Sequence, residues 1–435
     1  MAVYLPKGTR DFLPEQMRTR LFVLDTVRSV FSRFGFEPLE TPAFERIETL
    51  TGKYGDEGDK LIYKILKRGE GAERGECDQA LRYDLTVPLA RVVAMNPGLR
   101  MPFKRYQTQP VWRADRPQRG RFREFWQCDC DIVGTNSPLA EAECIAVALA
   151  ALDALGLPGA VIRMNDRRIL RSIAVAAGAA DKEIPFLITL DKLDKIGRDK
   201  VSAEFGRLGL DDAAVAGVWD VLTVPEGHDP ALDSLDEALD DAGREGVATL
   251  RAVLDAVGRM GVALDRVQID PTLARGLDYY TGPVFEISLP DGNIGSVGGG
   301  GRYDGLIGMF SGRDVPAVGI ALGIERIIVV LEEQGKLATQ RTTADVLVTV
   351  FSDDQRDVSL SFATRLRSAG VKTDLYLGEG NLKKQLKYAN ARGYPNIVII
   401  GPDESERGEV TVRNLESGEQ SKLSAGDAVR SFTNS

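Results

Sequence analysis

The sequence predicts an α+β first domain, a mainly antiparallel sheet flanked by helices, with a helical insertion inside it and a C-terminal α/β module behind it. Three patterns carry this. A long antiparallel hairpin is written between Phe103 and Gly134. Residues from about Asn165 to Gly261 are rich in Ala, Leu and Asp at helical spacing, and beyond residue 344 strands and helices alternate. Residues 1–335 therefore read as one sheet-centred domain with an insertion, and 344–435 as a separate module.

From Met17 to Phe34 the apolar residues Leu21, Leu24, Val27, Phe31 and Phe34 recur at steps of three and four, and Gly35 follows as a stop, which predicts an amphipathic helix. The stretch Phe36–Phe44 carries Pro38 and Pro42 among apolar residues. Proline cannot donate to a ladder, so an edge-like extended segment is expected there. Two extended segments then flank a loop, Ala114–Arg121, that together with Arg113 holds four arginines. Along the second strand the period of two puts Arg123, Phe125, Gln127, Asp129 and Asp131 on one side, and Phe122, Trp126, Cys128, Cys130 and Ile132 on the other. A solvated face explains most polar strand faces, but the arginine-rich loop argues against it here.

Ser137 and Pro138 open a helix that runs through apolar residues to Leu155, with Glu141 and Glu143 early and Gly156 at the stop. Strand patterns return at Val267–Ile269 and Val284–Leu289, followed by the glycines Gly298–Gly301 and by Pro316–Leu331, a strand running into a helix. A composition shift at residues 331–344 marks a linker. In the last 90 or so residues the alternation leads us to expect a mainly parallel sheet.

Composition excludes several classes. With 43% hydrophobic and 27% charged residues, 435 residues suffice for two or three cores and fit neither a disordered chain, a collagen nor a coiled coil. No apolar run approaches the roughly 18 residues of a membrane helix, and the N-terminus lacks a charged-then-apolar signal pattern. No membrane partner and a cytoplasmic location are expected. Cys77, Cys128, Cys130 and Cys144 form no C-x-x-C pair and read as reduced thiols. The single histidine, His228, sits in a turn-like stretch, so a Ser-His-Asp or Cys-His nucleophile is not expected. The excess of 64 acidic over 55 basic residues argues against indiscriminate nucleic-acid binding, while leaving room for a local basic face.

The run GGGGRYDG lacks the Lys-Ser/Thr of a phosphate loop and does not open a helix as a dinucleotide fingerprint must. Close backbone packing and a turn near a ligand are expected instead. The hairpin is more telling. Trp112-Arg113-Ala114-Asp115, a loop, then Arg121-x-x-x-Phe125-x-x-x-Asp129 resembles the second signature of class II aminoacyl-tRNA synthetases. Gly319-Ile-Ala321-Leu-Gly323-Ile-Glu325-Arg326 resembles the third, and the helix Met17–Phe34 followed by Pro42 resembles the first. Within that class, Arg275-Gly-Leu-Asp-Tyr279-Tyr280-Thr-Gly, Gly-Gly-Arg302-Tyr-Asp and Lys7-Gly-Thr-Arg-Asp11 are similar to the histidyl-tRNA synthetase family, over essentially the whole chain.

The resemblance implies a catalytic domain in two parts, 1–164 and 263–335, a helical insertion at 165–262 and an anticodon-binding domain at 344–435. It implies ATP-dependent activation of L-histidine to histidyl-adenylate, transfer to the 3′ end of tRNA(His), and a homodimer with Pro42 at its interface. Arg113 would hold the α-phosphate and substrate carboxylate, with Arg275 assisting, Arg326 against the adenine and terminal phosphates, and Arg121 on the pyrophosphate side. Phe125 would stack on the adenine, Asp115 would lie near its amino edge, and Mg2+ would bridge phosphate oxygens. Asp84, Thr86 and Gln127 match the α-amino contacts; Asp131 and Tyr280, with Tyr279 beside it, match the imidazole contacts. Asp84 and Asp131 stand where bacterial members often carry Glu, and the surrounding text resembles the eukaryotic-type branch. Gln118 and Arg119, in the hairpin loop, would meet the tRNA acceptor end.

Chemistry fits the residue types. Activation brings a carboxylate to a phosphate, two anions, and an arginine fork binds such oxygens bidentately without losing its proton. Blander readings stand beside these. Arg326 could make a plain i,i+4 surface pair, Tyr280 could be core, and the run Lys372, Lys383, Lys384, Lys387 and Arg392 could be a solvated face rather than an RNA surface. A non-catalytic regulatory paralogue or a class II synthetase of other specificity are rival readings; the retained Arg113, Arg275 and Arg326 and the Arg275–Gly282 run argue against both.

Overall fold

The hairpin forms as its period of two requires. In the computed structural model Phe103–Trp112 and Glu124–Val133 pair antiparallel, from Phe103 opposite Val133 to Trp112 opposite Glu124. The structure describes residues 3–274, 279–290, 294–337 and 342–433, without the side chains of Asp56 and Glu57. The chain divides into two units, residues 1–11 with 20–336 and residues 12–19 with 337–435.

The first unit is built on an eight-stranded sheet. Its order is Glu37–Pro38, Phe103–Trp112, Glu124–Val133, Ala317–Gly323, Gly298–Arg302, Pro283–Ser288, Val161–Asp166 and Val267–Ile269. Only the two edge strands pair parallel, and proline indeed occupies an edge. Helix Leu139–Ala154 is apolar nearly all round and buried accordingly, packed on strand Ala317–Gly323 and helix Asp241–Arg259. A helix from Pro14 to Arg33 buries Val23, Leu24, Val27, Val30 and Phe31, whereas Leu21, expected inside, points outward. The buried stripe is carried instead through Arg20, for a reason given below.

Three other expectations are corrected. The glycines Gly298–Gly301 make a strand in the middle of the sheet and no turn. A Cβ on Gly300 would stand 2.0 Å from the Gly319 carbonyl oxygen, so close backbone approach explains them. Strand Val161–Asp166 runs two residues into the expected insertion, and Asp166 caps the following helix by accepting from Arg168 N–H. His228 begins helix His228–Ala238 rather than a turn, and its Nε2 lies 2.6 Å from the Val267 carbonyl oxygen.

In the second unit the sheet runs Thr373–Leu375, Val346–Val348, Asn396–Ile399, Glu409–Asn414, Gln420–Ser424. Val346 and Val348 face one core with Phe362, Leu366 and Val398, while Leu347 and Ile397 face another with Tyr376, Ala389 and Tyr394. Both faces are covered, as an apolar run in an α/β sheet demands. The expected parallel order holds for the first three strands only; the last two join antiparallel. The cause is local: the links from Ile399 to Glu409 and from Asn414 to Gln420 are both shorter than the dozen or so residues a crossover needs, so the chain turns back at each.

Candidate active site

The inward face of the hairpin opens onto a pocket of about 360 Å³. Arg113, Asp115, Gly120, Arg121, Phe125 and Gln127 reach it from the hairpin, and Asp84 and Thr86 from the turn into helix Thr86–Met95. Tyr279 and Tyr280 line it too, with the strand glycines Gly298–Gly300 and Arg326 at the start of helix Ile324–Glu333. Glycine there leaves room that a side chain would fill.

Arg113 donates from Nε to the Tyr83 carbonyl oxygen at 3.0 Å, with its guanidinium 4.3 Å from the Tyr83 ring centre and 5.2 Å from that of Phe125. Two aromatic faces and one hydrogen bond thus fix the fork. Arg121 lies 3.7 Å from the Asp115 carboxylate, and Arg326 donates to the Ser296 carbonyl oxygen. The i,i+4 surface reading of Arg326 fails, because the residue lines the pocket and its neighbour Glu325 is buried. Glu325 takes both nitrogens of Arg20 at 2.8 Å, pairs with Arg10, and accepts from Trp126 N–H at 3.3 Å.

Asp84 is buried. Its Oδ1 accepts from Val87 N–H at 3.0 Å and from the Tyr54 hydroxyl at 3.1 Å, and its Oδ2 from the Tyr279 hydroxyl at 3.4 Å. Burial pushes its carboxyl above the usual carboxylate range, against the pull of Val87 N–H and Arg113. Tyr280 is partly buried, its ring edge-on to Tyr279 at 5.0 Å, so it is both pocket wall and packing.

Asp131 is placed differently from the expectation. It is not among the residues that line the pocket; it is buried 2.9 Å from Arg105 and accepts from the Tyr303 hydroxyl. Gln118 and Arg119 stand on the loop outside, where Gln118 bridges to Arg121 and Arg119 pairs with Glu333. Arg275 lies outside the described residues. Arg10, Arg20, Arg105 and Tyr303, which hold the site's acids, were not among the expected residues. Arg20 leaves a sequence signal: with Val23, Leu24 and Val27 it shares the apolar face of its helix, and a cation on such a face needs a buried partner.

A family model for histidyl-tRNA synthetase matches residues 8–327. The chain belongs to the histidyl-tRNA synthetase family. A model of the anticodon-binding domain matches residues 345–434. Among curated relatives of the family, a histidine–tRNA ligase of Christiangramia forsetii is 41% identical, with 96% of each chain covered. One from Cytophaga hutchinsonii is 42% identical over 98% of each. A crystal structure of histidyl-tRNA synthetase from a Nostoc species superposes with a TM-score of 0.86 at 33% identity, covering 100% of this chain and 99% of that one.

Proposed function

We propose that the pocket activates L-histidine with ATP, and one observation carries the assignment: the acceptors Asp84, Thr86 and Gln127 line the same pocket as the fixed guanidinium of Arg113. An ammonium and a carboxylate are the two ends of an amino acid, and these are their partners. Kinship with histidine–tRNA ligases over nearly the full length makes the chain a ligase that charges tRNA with histidine, with ATP as co-substrate.

In the reading we favour, a histidine carboxylate oxygen attacks the α-phosphorus, the bond to the β-phosphate oxygen breaks and pyrophosphate leaves. Positioning and charge stabilisation supply the acceleration, and no side chain is modified. Arg113, with Arg275, screens the two approaching anions, and Arg121 and Arg326 take the pyrophosphate and adenosine ends. Phe125 stacks on the adenine beside Asp115. Tyr280, beside Tyr279, meets the imidazole from the wall, and Asp131 is the acid of the imidazole end. A terminal ribose hydroxyl of the tRNA then attacks the acyl carbon and AMP leaves, with Gln118 and Arg119 near the acceptor end.

Among the described residues no group of three metal-ligating side chains is found. Of the three carboxylates that line the pocket, Asp84 is engaged by two hydroxyls and an amide, Glu325 by two arginines, and Asp115 lies 3.7 Å from Arg121. In this reading Mg2+ would be held on the ATP phosphates, where it would offset their charge. The catalytic domain in this reading is 1–164 and 263–335, extended by the strand residues Asn165 and Asp166, around an insertion that follows them to residue 262. The module 344–435 binds the anticodon through Lys372, Lys383, Lys384, Lys387 and Arg392, all exposed. No helix among the described residues is long and apolar enough to cross a membrane. We place the enzyme in the cytoplasm as a homodimer joined near the exposed Pro42.

Histidine-dependent exchange of pyrophosphate into ATP, measured beside Arg113→Ala and Arg275→Ala, tests this. Exchange with histidine alone, lost in folded variants, is expected. A folded chain that exchanges with no amino acid would be a regulatory paralogue, and the pocket a sensor.

A further inference from the structure

One acid beside the pocket has no part in the reaction as described. Asp129, 2% exposed, shares a strand face with Gln127 but does not line the pocket. Gln127 Nε2 lies 3.3 and 3.5 Å from its two oxygens. Directly across the ladder stands Gln107, whose Nε2 is used by Thr41 Oγ1 at 2.8 Å and Gln109 Oε1 at 2.5 Å. Two buried amide oxygens here find no donor among the described residues: Gln107 Oε1 and Gln127 Oε1.

We propose that Asp129 is a positioning residue that fixes the direction of the Gln127 amide, and with it the recognition of the substrate's ammonium group. The inference rests on the reading of the pocket as a histidine site. An amide has a donor end and an acceptor end of nearly equal shape. With Nε2 bound to Asp129, the free end of Gln127 is Oε1, which accepts from an ammonium. Flipped, the side chain would set an NH2 group against the NH3+, donor against donor.

Asp129 does this best as a neutral acid. A protonated carboxyl has one acceptor for Gln127 Nε2 and one donor for Gln107 Oε1, its opposite neighbour, whereas a carboxylate only accepts. Burial pushes this group far above the carboxylate range; Asp131 and Asp84 add to that, and Arg105 and Arg113 oppose it. Asparagine keeps an acceptor oxygen and an N–H donor in nearly the same shape, with one donor more. Leucine carries neither.

The test is pyrophosphate exchange by the full chain with Asp129→Leu and Asp129→Asn, together with inhibition by histidinol, which keeps the ammonium, and by imidazole-4-propionate, which lacks it. In Asp129→Leu the KM for histidine and the inhibition constant of histidinol should both rise about tenfold, the loss of one charge-assisted hydrogen bond. The KM for ATP, kcat and the imidazole-4-propionate constant should not move. Asp129→Asn should bring histidine back to within about threefold of the parent, the scatter of single hydrogen-bond contributions. On Gln127→Glu, which has no amide to turn, Asp129→Leu should have little further effect.

An Asn variant as weak as the Leu variant would overturn the proposal, because it would make the negative charge itself the needed element. Equal losses for histidinol and imidazole-4-propionate, with kcat falling too, would overturn it by showing general damage to the pocket. If Asp129→Leu does not fold, Asp129→Ala, which likewise has neither donor nor acceptor, takes its place with the same expected and overturning results. A parent chain that shows no exchange with histidine would instead remove the assignment of the pocket.

Discussion

The two units hold their charges in opposite ways. In the first, the centre of the sheet is polar: Arg105, Gln107, Gln127, Asp129 and Asp131 are buried on adjacent strands, and Glu325 is buried between Arg10 and Arg20. In the second, the sheet centre is apolar on both faces, and the lysines of helix Leu382–Arg392 are in water. Desolvation makes a charge strong and directional, which a small zwitterion needs. Phosphates on an RNA backbone are met by solvated charge, whose strength is released counter-ions. Buried polar centres are costly, so the first unit pays in stability for a site the second does not need.

Breaking one buried pair should therefore cost most. Glu325→Gln leaves Arg20, 3% exposed, without its carboxylate and should destabilise the first unit by about 3–5 kcal/mol in denaturant melts. Burial raises the Glu325 carboxyl, but Arg20 and then Arg10 outweigh it and hold the group below the ordinary glutamate value. The folded state thus favours the ion. Its contribution is complete above a pH of about 4.3, the ordinary value, and fades as pH falls through the lower folded value. Over that acid range the parent should lose stability more steeply than the variant; parallel curves would sink the assignment.

Next in size is Arg113→Ala, which removes charge from the reacting centre and should lower exchange by about 10²–10³-fold. Its melting temperature should change little, since Arg113 is half-buried and makes one backbone bond. Gly300→Ala sharpens the contrast between the sheets. Its Cβ would meet backbone at 2.0 Å, and a cost of at least about 1–3 kcal/mol is expected. A neutral outcome in a thermal melt would mean the two strands can part there. The smallest effect belongs to the surface. Lys383→Ala with Lys387→Ala should weaken tRNA binding and lower the salt slope by about 1.4, about 0.7 for each phosphate contact to a single strand. Exchange without tRNA should stay at the parent rate.

Much of this was legible along the chain. The long hairpin, the buried helix Leu139–Ala154 and the alternation in the module all follow from periodicity and stop residues, which are local. The arginines of the pocket were legible because their order and spacing carry a resemblance. Asp131 shares its strand face with Gln127, but alternation assigns a face, not a depth on that face. Depth came from Arg105 on the neighbouring strand and Tyr303 from far along the sequence. The last two strands of the module were misjudged because alternation was extended past the point where the link became too short for a crossover.

By itself, then, the sequence determined where helices and strands begin, which faces are apolar, and which residues have the charge to handle a carboxylate and a phosphate. Only the tertiary structure decided the partners: Glu141 for Arg302, Arg20 for Glu325, Gln127 for Asp129. A periodic pattern is written over a few neighbouring residues, but Arg20 and Glu325 lie 305 residues apart. No local propensity encodes such a contact; it exists because the sheet and its helices, once packed, leave a buried charge with one place to be neutralised.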